Sequence, residues 1–172
     1  MTIVLVCYTY LKMTIYGDKG KVMNKAQHYQ NAYRNHLLSK IQQLNGNVFT
    51  RADLSSYYSN QEQLRLNRAL NAFIDQGYIL KISHGLYAKA MQMKFPNGQI
   101  KTVLQAPFET VAIEALNKLK IQWEFGKAIQ EYNRGETTQV PAVFSVRLHS
   151  RFRGSIKVEN RTIIFEDQIN AR

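Results

Sequence analysis

A chain of 172 residues that is 45% hydrophobic has material for one compact domain or two small ones, each able to bury a core. Its 23 Lys and Arg against 12 Asp and Glu give a net charge of +11, which points to a polyanionic partner and is silent about fold. The single cysteine, Cys7, excludes an internal disulfide and a cysteine-rich zinc site and makes a reducing, cytoplasmic location the expectation.

The opening "MTIVLVCYTYL" is apolar but far shorter than the roughly 20 residues that span a bilayer, and it lacks a basic start and a small-residue cleavage site. Neither a membrane span nor a signal peptide is expected. Residues 1–22 read as an extension with two explanations. Lys19-Gly20 must be encoded by a purine-rich stretch like a ribosome-binding site just upstream of the Met23 codon, which makes Met23 a candidate start. The rival is an added edge strand, for which the β-branched and aromatic content is suitable.

From Lys25 to Leu44, Tyr29, Tyr33, Leu37, Leu38, Ile41 and Leu44 recur at helical spacing, and Gly46 ends the run. Thr50 and Asp53 have capping-box spacing ahead of a short helix expected from Arg51 to Tyr57. Ser59 and Glu62 repeat that pattern before a third helix, Asn60 to Gln76, with Leu66, Ala69, Leu70 and Phe73 on one face and Gly77 as a left-handed cap. "YILKIS" and "LYAKA" are β-prone runs joined by a His84-Gly85 turn, with Tyr78, Leu80, Ile82 and Tyr87 as the packing side. The order helix, helix, helix, hairpin is that of a winged helix-turn-helix domain, expected over residues 23–91.

Residues 92–172 are expected to form a small, strand-rich α+β domain, making the chain α+β as a whole. "KFPNGQIK" carries a Pro96-Asn97-Gly98 turn that either extends the sheet or begins a connection. A helix is expected from Pro107 to Leu119, a strand in "IQWEF", a short helix from Lys127 to Arg134, and strands in "VPAVFSVRLHS", "GSIKV" and "TIIFE", with Val146, Leu148, Ile156 and Val158 inward.

With Leu66, Ala69, Leu70 and Phe73 turned inward, Gln61, Leu64, Arg65, Asn67, Arg68 and Asn71 lie on or around the outer face of the third helix. Arg pairs bidentately with guanine, and Asn or Gln with adenine, each good pair giving about 1 to 3 kcal/mol of discrimination, so these are the expected base-reading residues. Thr50, Arg51, Ser59 and Asn60 stand at helix starts, where free N–H groups favour phosphate. In the hairpin, Lys81, Ser83 and His84 are candidates for phosphate contact. Arg147, His149, Arg151, Arg153, Lys157 and Arg161 form a second basic cluster with Glu159 as the only acid among them; further phosphate contacts and the outer faces of alternating strands are compatible readings.

His28, His36, His84 and His149 have no HxxxH or HExxH spacing, so no metal is expected, and no cofactor or catalytic motif such as a P-loop is found. The expectation is therefore a protein that is not an enzyme.

"VFTRADL" followed by "RLNRALNAFIDQGYILKISHGLYAK" resembles the N-terminal winged-helix domain of AbiEi-type antitoxins, and "TTQVPAVFSVRLHSRFRGSIKVENRTIIFE" is similar to the C-terminal part of a short AbiEi-like subgroup, so the likeness covers residues 25–167. The resemblance implies an antitoxin of a type IV toxin-antitoxin system that binds inverted repeats in its own promoter and represses the operon. It implies a nucleotidyltransferase-like toxin as functional partner, without a stable complex between the two. Many relatives carry an arginine pair where Ser83-His84 stand here. An alternative class of function is a winged-helix interaction module whose basic C-terminal sheet binds an acidic protein or RNA.

Overall fold

The computed structural model describes residues 25–54 and 59–166. The extension, Cys7, the Met23 start and the end of the second helix at residues 55–57 lie outside the described residues. Contacts divide the chain into two units, Met1–His36 and Leu37–Arg172. The first helix, α1 (Lys25–Gln43), starts in one and ends in the other. Its buried side chains, Leu37 and Ile41, are one turn apart, whereas Tyr29 is exposed.

The described elements after α1 all belong to the second unit. Strand β1 (Val48–Thr50) leads directly into the single-turn helix α2 (Arg51–Leu54), and helix α3 occupies Asn60–Asp75. The capping box predicted for α3 forms: the Ser59 hydroxyl accepts from the Glu62 N–H at 3.2 Å, and the Glu62 carboxylate accepts from the Ser59 N–H at 3.2 Å. At the other end Tyr78 N–H reaches Phe73 O and Gly77 N–H reaches Ile74 O, both at 2.9 Å, with Gly77 at φ +73°. That paired arrangement satisfies carbonyls the last turn would leave open, and glycine adopts it without a Cβ penalty.

β2 (Ile79–Ser83) and β3 (Leu86–Lys94) form the expected hairpin, and β3 then turns through Pro96–Gly98 into β4 (Ile100–Leu104). The "KFPNGQIK" segment therefore extends the sheet. Strand order is β1-β3-β2, with β4 pairing the far end of β3. The boundary expected between residues 91 and 92 falls inside β3, a nine-residue strand.

Alternation along β3 gives its sheet two distinct faces. Ala88 stands opposite Val48 and Leu80, and Tyr87 opposite Phe49 and Lys81. Val48, Ile82, Leu86 and Ala88 pack against helix α4 (Phe108–Lys118) through Phe108, Val111, Ala112, Ala115 and Leu116. Each fully buried Leu or Ile stabilises such a core by roughly 1.5–3 kcal/mol. Opposite that face Phe49 and Tyr87 stack with centroids 5.8 Å apart, and the buried side of α3 (Leu66, Ala69, Leu70, Phe73) packs beside β2. The α4 core also takes Val146, Ile156 and Ile163, so residues on both sides of position 92 share one interior.

The remaining elements are β5 (Trp123–Phe125), α5 (Lys127–Asn133), β6 (Ser145–Leu148), β7 (Lys157–Val158), β8 (Arg161–Thr162) and β9 (Ile164–Phe165). β6 pairs β5 antiparallel and β9 parallel, and β7 and β8 form a separate small hairpin. Strand structure in "VPAVFSVRLHS" is confined to Ser145–Leu148; Pro141, without an N–H, lies before it. The chain is thus a mixed α+β structure with five helices among the described residues.

Two contacts distant in sequence fix the C-terminal end of α1, β1 and α4. The Glu114 carboxylate accepts from Asn47 N–H at 2.6 Å, from Asn47 Nδ2 at 2.8 Å and from Val48 N–H at 3.1 Å. Lys89 Nζ donates to Leu44 O at 2.7 Å and Gln42 O at 3.3 Å, closing the end of α1. Burial lowers the Lys89 pKa below the usual lysine value, and the neighbouring Glu114 charge opposes that shift.

Candidate nucleic-acid interface

Helix α3 has sharply different sides. Leu66, Ala69, Leu70 and Phe73 are buried, while Gln61, Leu64, Arg65, Arg68 and Asn71 are exposed and Asn67 is half-buried at the flank. At 100° per residue Leu64, Arg68 and Asn71 fall on the line opposite the buried stripe, with Gln61 beside them. Leu64, at 57% exposure, is an apolar side chain in the middle of this polar face. An apolar tip there suits a thymine methyl as well as it suits any other greasy contact. Arg68 is exposed and forms no ion pair among the described residues; Arg65 is exposed as well.

The residues at helix starts are more occupied than their spacing implies. Thr50 gives both its N–H (2.7 Å) and its hydroxyl (2.9 Å) to Asp53 Oδ2, and Asp53 also pairs with Lys118 at 3.0 Å. Burial raises the Asp53 pKa, but the Thr50 N–H and then Lys118 and the Thr50 hydroxyl outweigh it and hold the carboxyl below its ordinary value. Ser59 is likewise engaged with Glu62, and its neighbour Asn60 is exposed. Arg51 differs: its Nε is buried without a hydrogen-bond partner, and the side chain lines a notch of about 200 Å³ with Gln63, Leu66 and Asn67 of α3. Arg51 thus lines the same notch as three residues of α3, a placement its spacing did not reveal.

In the hairpin Lys81 and His84 are exposed and Ser83 is half-buried. A bulge explains the difference. Lys81 pairs with Tyr87 and Ser83 with Leu86, so two steps on β2 match one on β3 and Ile82 is the extra residue. Lys81 consequently shares the face of Tyr87 and Phe49, the side opposite the α4 core, whereas Ser83 stands with Leu86 on the α4 side. Gly85, at φ +69°, closes the turn. From Gln76 to Phe108 the chain has no acidic residue and carries Lys81, Lys89, Lys94 and Lys101, so the hairpin lies in a uniformly cationic stretch.

The second basic cluster is divided by the fold. Arg147 pairs with Glu124 at 3.6 Å and Glu166 at 3.8 Å, and Arg161 with Glu109 at 3.7 Å. These acids come from β5, from the residue after β9 and from the start of α4, so Glu159 is not the only counter-charge. Arg151 and Arg153 are exposed in the irregular segment before β7, His149 is exposed after β6, and Lys157 is exposed on β7.

Among the described residues no group of three or more His, Cys, Asp or Glu is placed to hold a metal ion. Among them, too, no helix is long and apolar enough to cross a membrane. Compared with protein-family models, curated proteins and solved structures, the chain matches none.

Proposed function

We propose that this protein is a sequence-specific duplex-DNA binder of the winged helix-turn-helix type, with α3 as recognition helix and β2–β3 as wing. In this reading it represses its own operon as an AbiEi-like antitoxin, with a nucleotidyltransferase-like toxin as functional partner. The observation that carries the reading is the α3 surface, where Gln61, Leu64, Arg68 and Asn71 stand exposed opposite a buried apolar stripe. Arg65 and Asn67 flank that surface. Further support comes from the exposed Lys81 on the side of the sheet opposite α4, in a stretch without acids, and from Arg51 at the α3 rim. Guanidinium and carboxamide tips read base edges, and the lysine and Arg51 hold phosphate without reading sequence.

A gel-shift experiment on the upstream region of the chain's own gene tests this. Arg68→Ala is expected to weaken binding to that region by about 5- to 150-fold, the equivalent of one bidentate base contact, while affecting scrambled duplex little. Lys81→Ala should weaken binding to every duplex and lower the slope of log affinity against log salt by about one. Parent-like binding by both variants refutes the interface. The antitoxin role is read separately, by co-expression with the product of the adjacent gene: failure to restore growth leaves a solitary repressor. A protein-docking role for the C-terminal sheet draws less support, because Arg147 and Arg161 already have carboxylate partners.

A further inference from the structure

The small hairpin β7–β8 lies far from the wing in sequence, yet β7 runs beside β2. Its ladder begins one residue before β7, where Ile163 N–H donates to Ile156 O at 3.2 Å, and continues through Lys157 opposite Thr162 and Val158 opposite Arg161. Ile156 is fully buried in the α4 core, in the same cluster as Ile82 of β2. Adjacent residues on a strand point to opposite faces. Lys157, next to Ile156, is therefore turned away from the α4 core, and so is Lys81, next to Ile82. Arg161 follows the same rule in reverse. It stands opposite Val158, which packs against the α4 core, and its guanidinium meets Glu109 at the start of α4.

The fold thus sorts the two cations of this hairpin by side. Arg161 is on the α4 side with a carboxylate at 3.7 Å; Lys157 is turned away from the α4 core, is exposed, and forms no ion pair among the described residues. Thr162, opposite Lys157, adds an exposed hydroxyl to the same face. β2, with no acid of its own, lies beside this hairpin. Two exposed lysines on strands that run close together, each turned away from the α4 core and with no carboxylate on either strand (Glu159 stands in the β7–β8 turn), are placed to meet charges of one polyanion.

We infer that the β7–β8 hairpin is a second phosphate-binding ribbon, in which Lys157, assisted by Thr162, grips the duplex backbone beside the wing. This inference rests on the DNA-binding reading of the preceding subsection. It assigns the C-terminal region a direct part in holding duplex DNA, and it gives that part to Lys157 and withholds it from Arg161.

The test is a salt titration of duplex affinity for the full chain and single variants. Lys157→Ala should lower the slope of log affinity against log salt by about 0.9, the value for one phosphate contact, with specificity for the upstream region unchanged. Lys157→Arg should restore the slope. Lys127→Ala removes the same formal charge from exposed α5 and is expected to leave the slope alone. Thermal melting of each variant checks that the fold is intact. If Lys81→Ala lowers the slope and Lys157→Ala behaves like Lys127→Ala, this inference is overturned while the DNA reading stands. A parent chain that binds no duplex overturns both.

Discussion

Glu114→Ala removes the acceptor of three hydrogen bonds, from Asn47 N–H, Asn47 Nδ2 and Val48 N–H at 2.6, 2.8 and 3.1 Å. Bonds to a charged acceptor contribute roughly 1.5–3 kcal/mol each when shielded, and less where water re-enters. Glu114 is half-buried, so about 1 kcal/mol per bond is the suitable figure, and the variant should lose about 3 kcal/mol. In a chain of this size that lowers Tm by about 6 to 12 °C. Glu114→Gln keeps one acceptor oxygen and should lose less, about 1 to 2 kcal/mol. Calorimetry or chemical denaturation at neutral pH measures both. A Glu114→Ala protein melting within about 1 °C of the parent would refute the reasoning, and equal losses for Gln and Ala would show that charge matters more than the number of bonds. Because Val48 opens β1 and β1 runs into α2, the same variant should also loosen the placement of Arg51.

Further outcomes follow from the Asp53 cluster, Gly126 and the two lysines. The depressed Asp53 pKa contributes stability that is present above the ordinary carboxylate value and lost as pH falls through the lowered one, so Asp53→Asn should cost stability at neutral pH and progressively less from about pH 4 downward, as read by denaturation at several pH values. A constant difference across that range would show that the ionised carboxyl is not what matters. Gly126→Ala would drive a Cβ into the Glu166 carboxylate and the Ser145 hydroxyl, whose mutual bond at 2.8 Å sits beside the start of α5. It should therefore destabilise by about 1 to 3 kcal/mol, and an unchanged melting curve would show that the carboxylate moves aside freely. The Arg68, Lys81 and Lys157 variants extend these tests to DNA affinity and its salt dependence.

Local punctuation was legible in the residues themselves. Ser59 with Glu62, Gly77 and the His84-Gly85 turn act within a few positions of one another, and each marks an element that forms where its spacing indicates. Helical periodicity likewise singled out Leu66, Ala69, Leu70 and Phe73, all of them buried. What the spacing could not convey is who neutralises whom across the fold. Glu114 meets Asn47 across 67 positions, and the partners of Arg147 and Arg161 include carboxylates that tertiary packing brings in. The bulge at Ile82 was hidden for a different reason, since "YILKIS" reads as a single strand and an extra residue leaves no compositional trace. That Lys157 comes near β2 depends on β7 packing alongside that strand, a long-range contact no local pattern specifies.

The irregularity at Ile82 acts as a phase shift in the ribbon: upstream of it the odd-numbered positions look one way, and past it the parity is reversed. Without that single residue Lys81 would still oppose Tyr87 and Ser83 would still oppose Leu86, so the ladder would straighten with neither end turned over, and the α4 core would lose the Ile82 side chain. The extra residue thus adds one apolar side chain to the interior without re-aiming the exposed cation beside it.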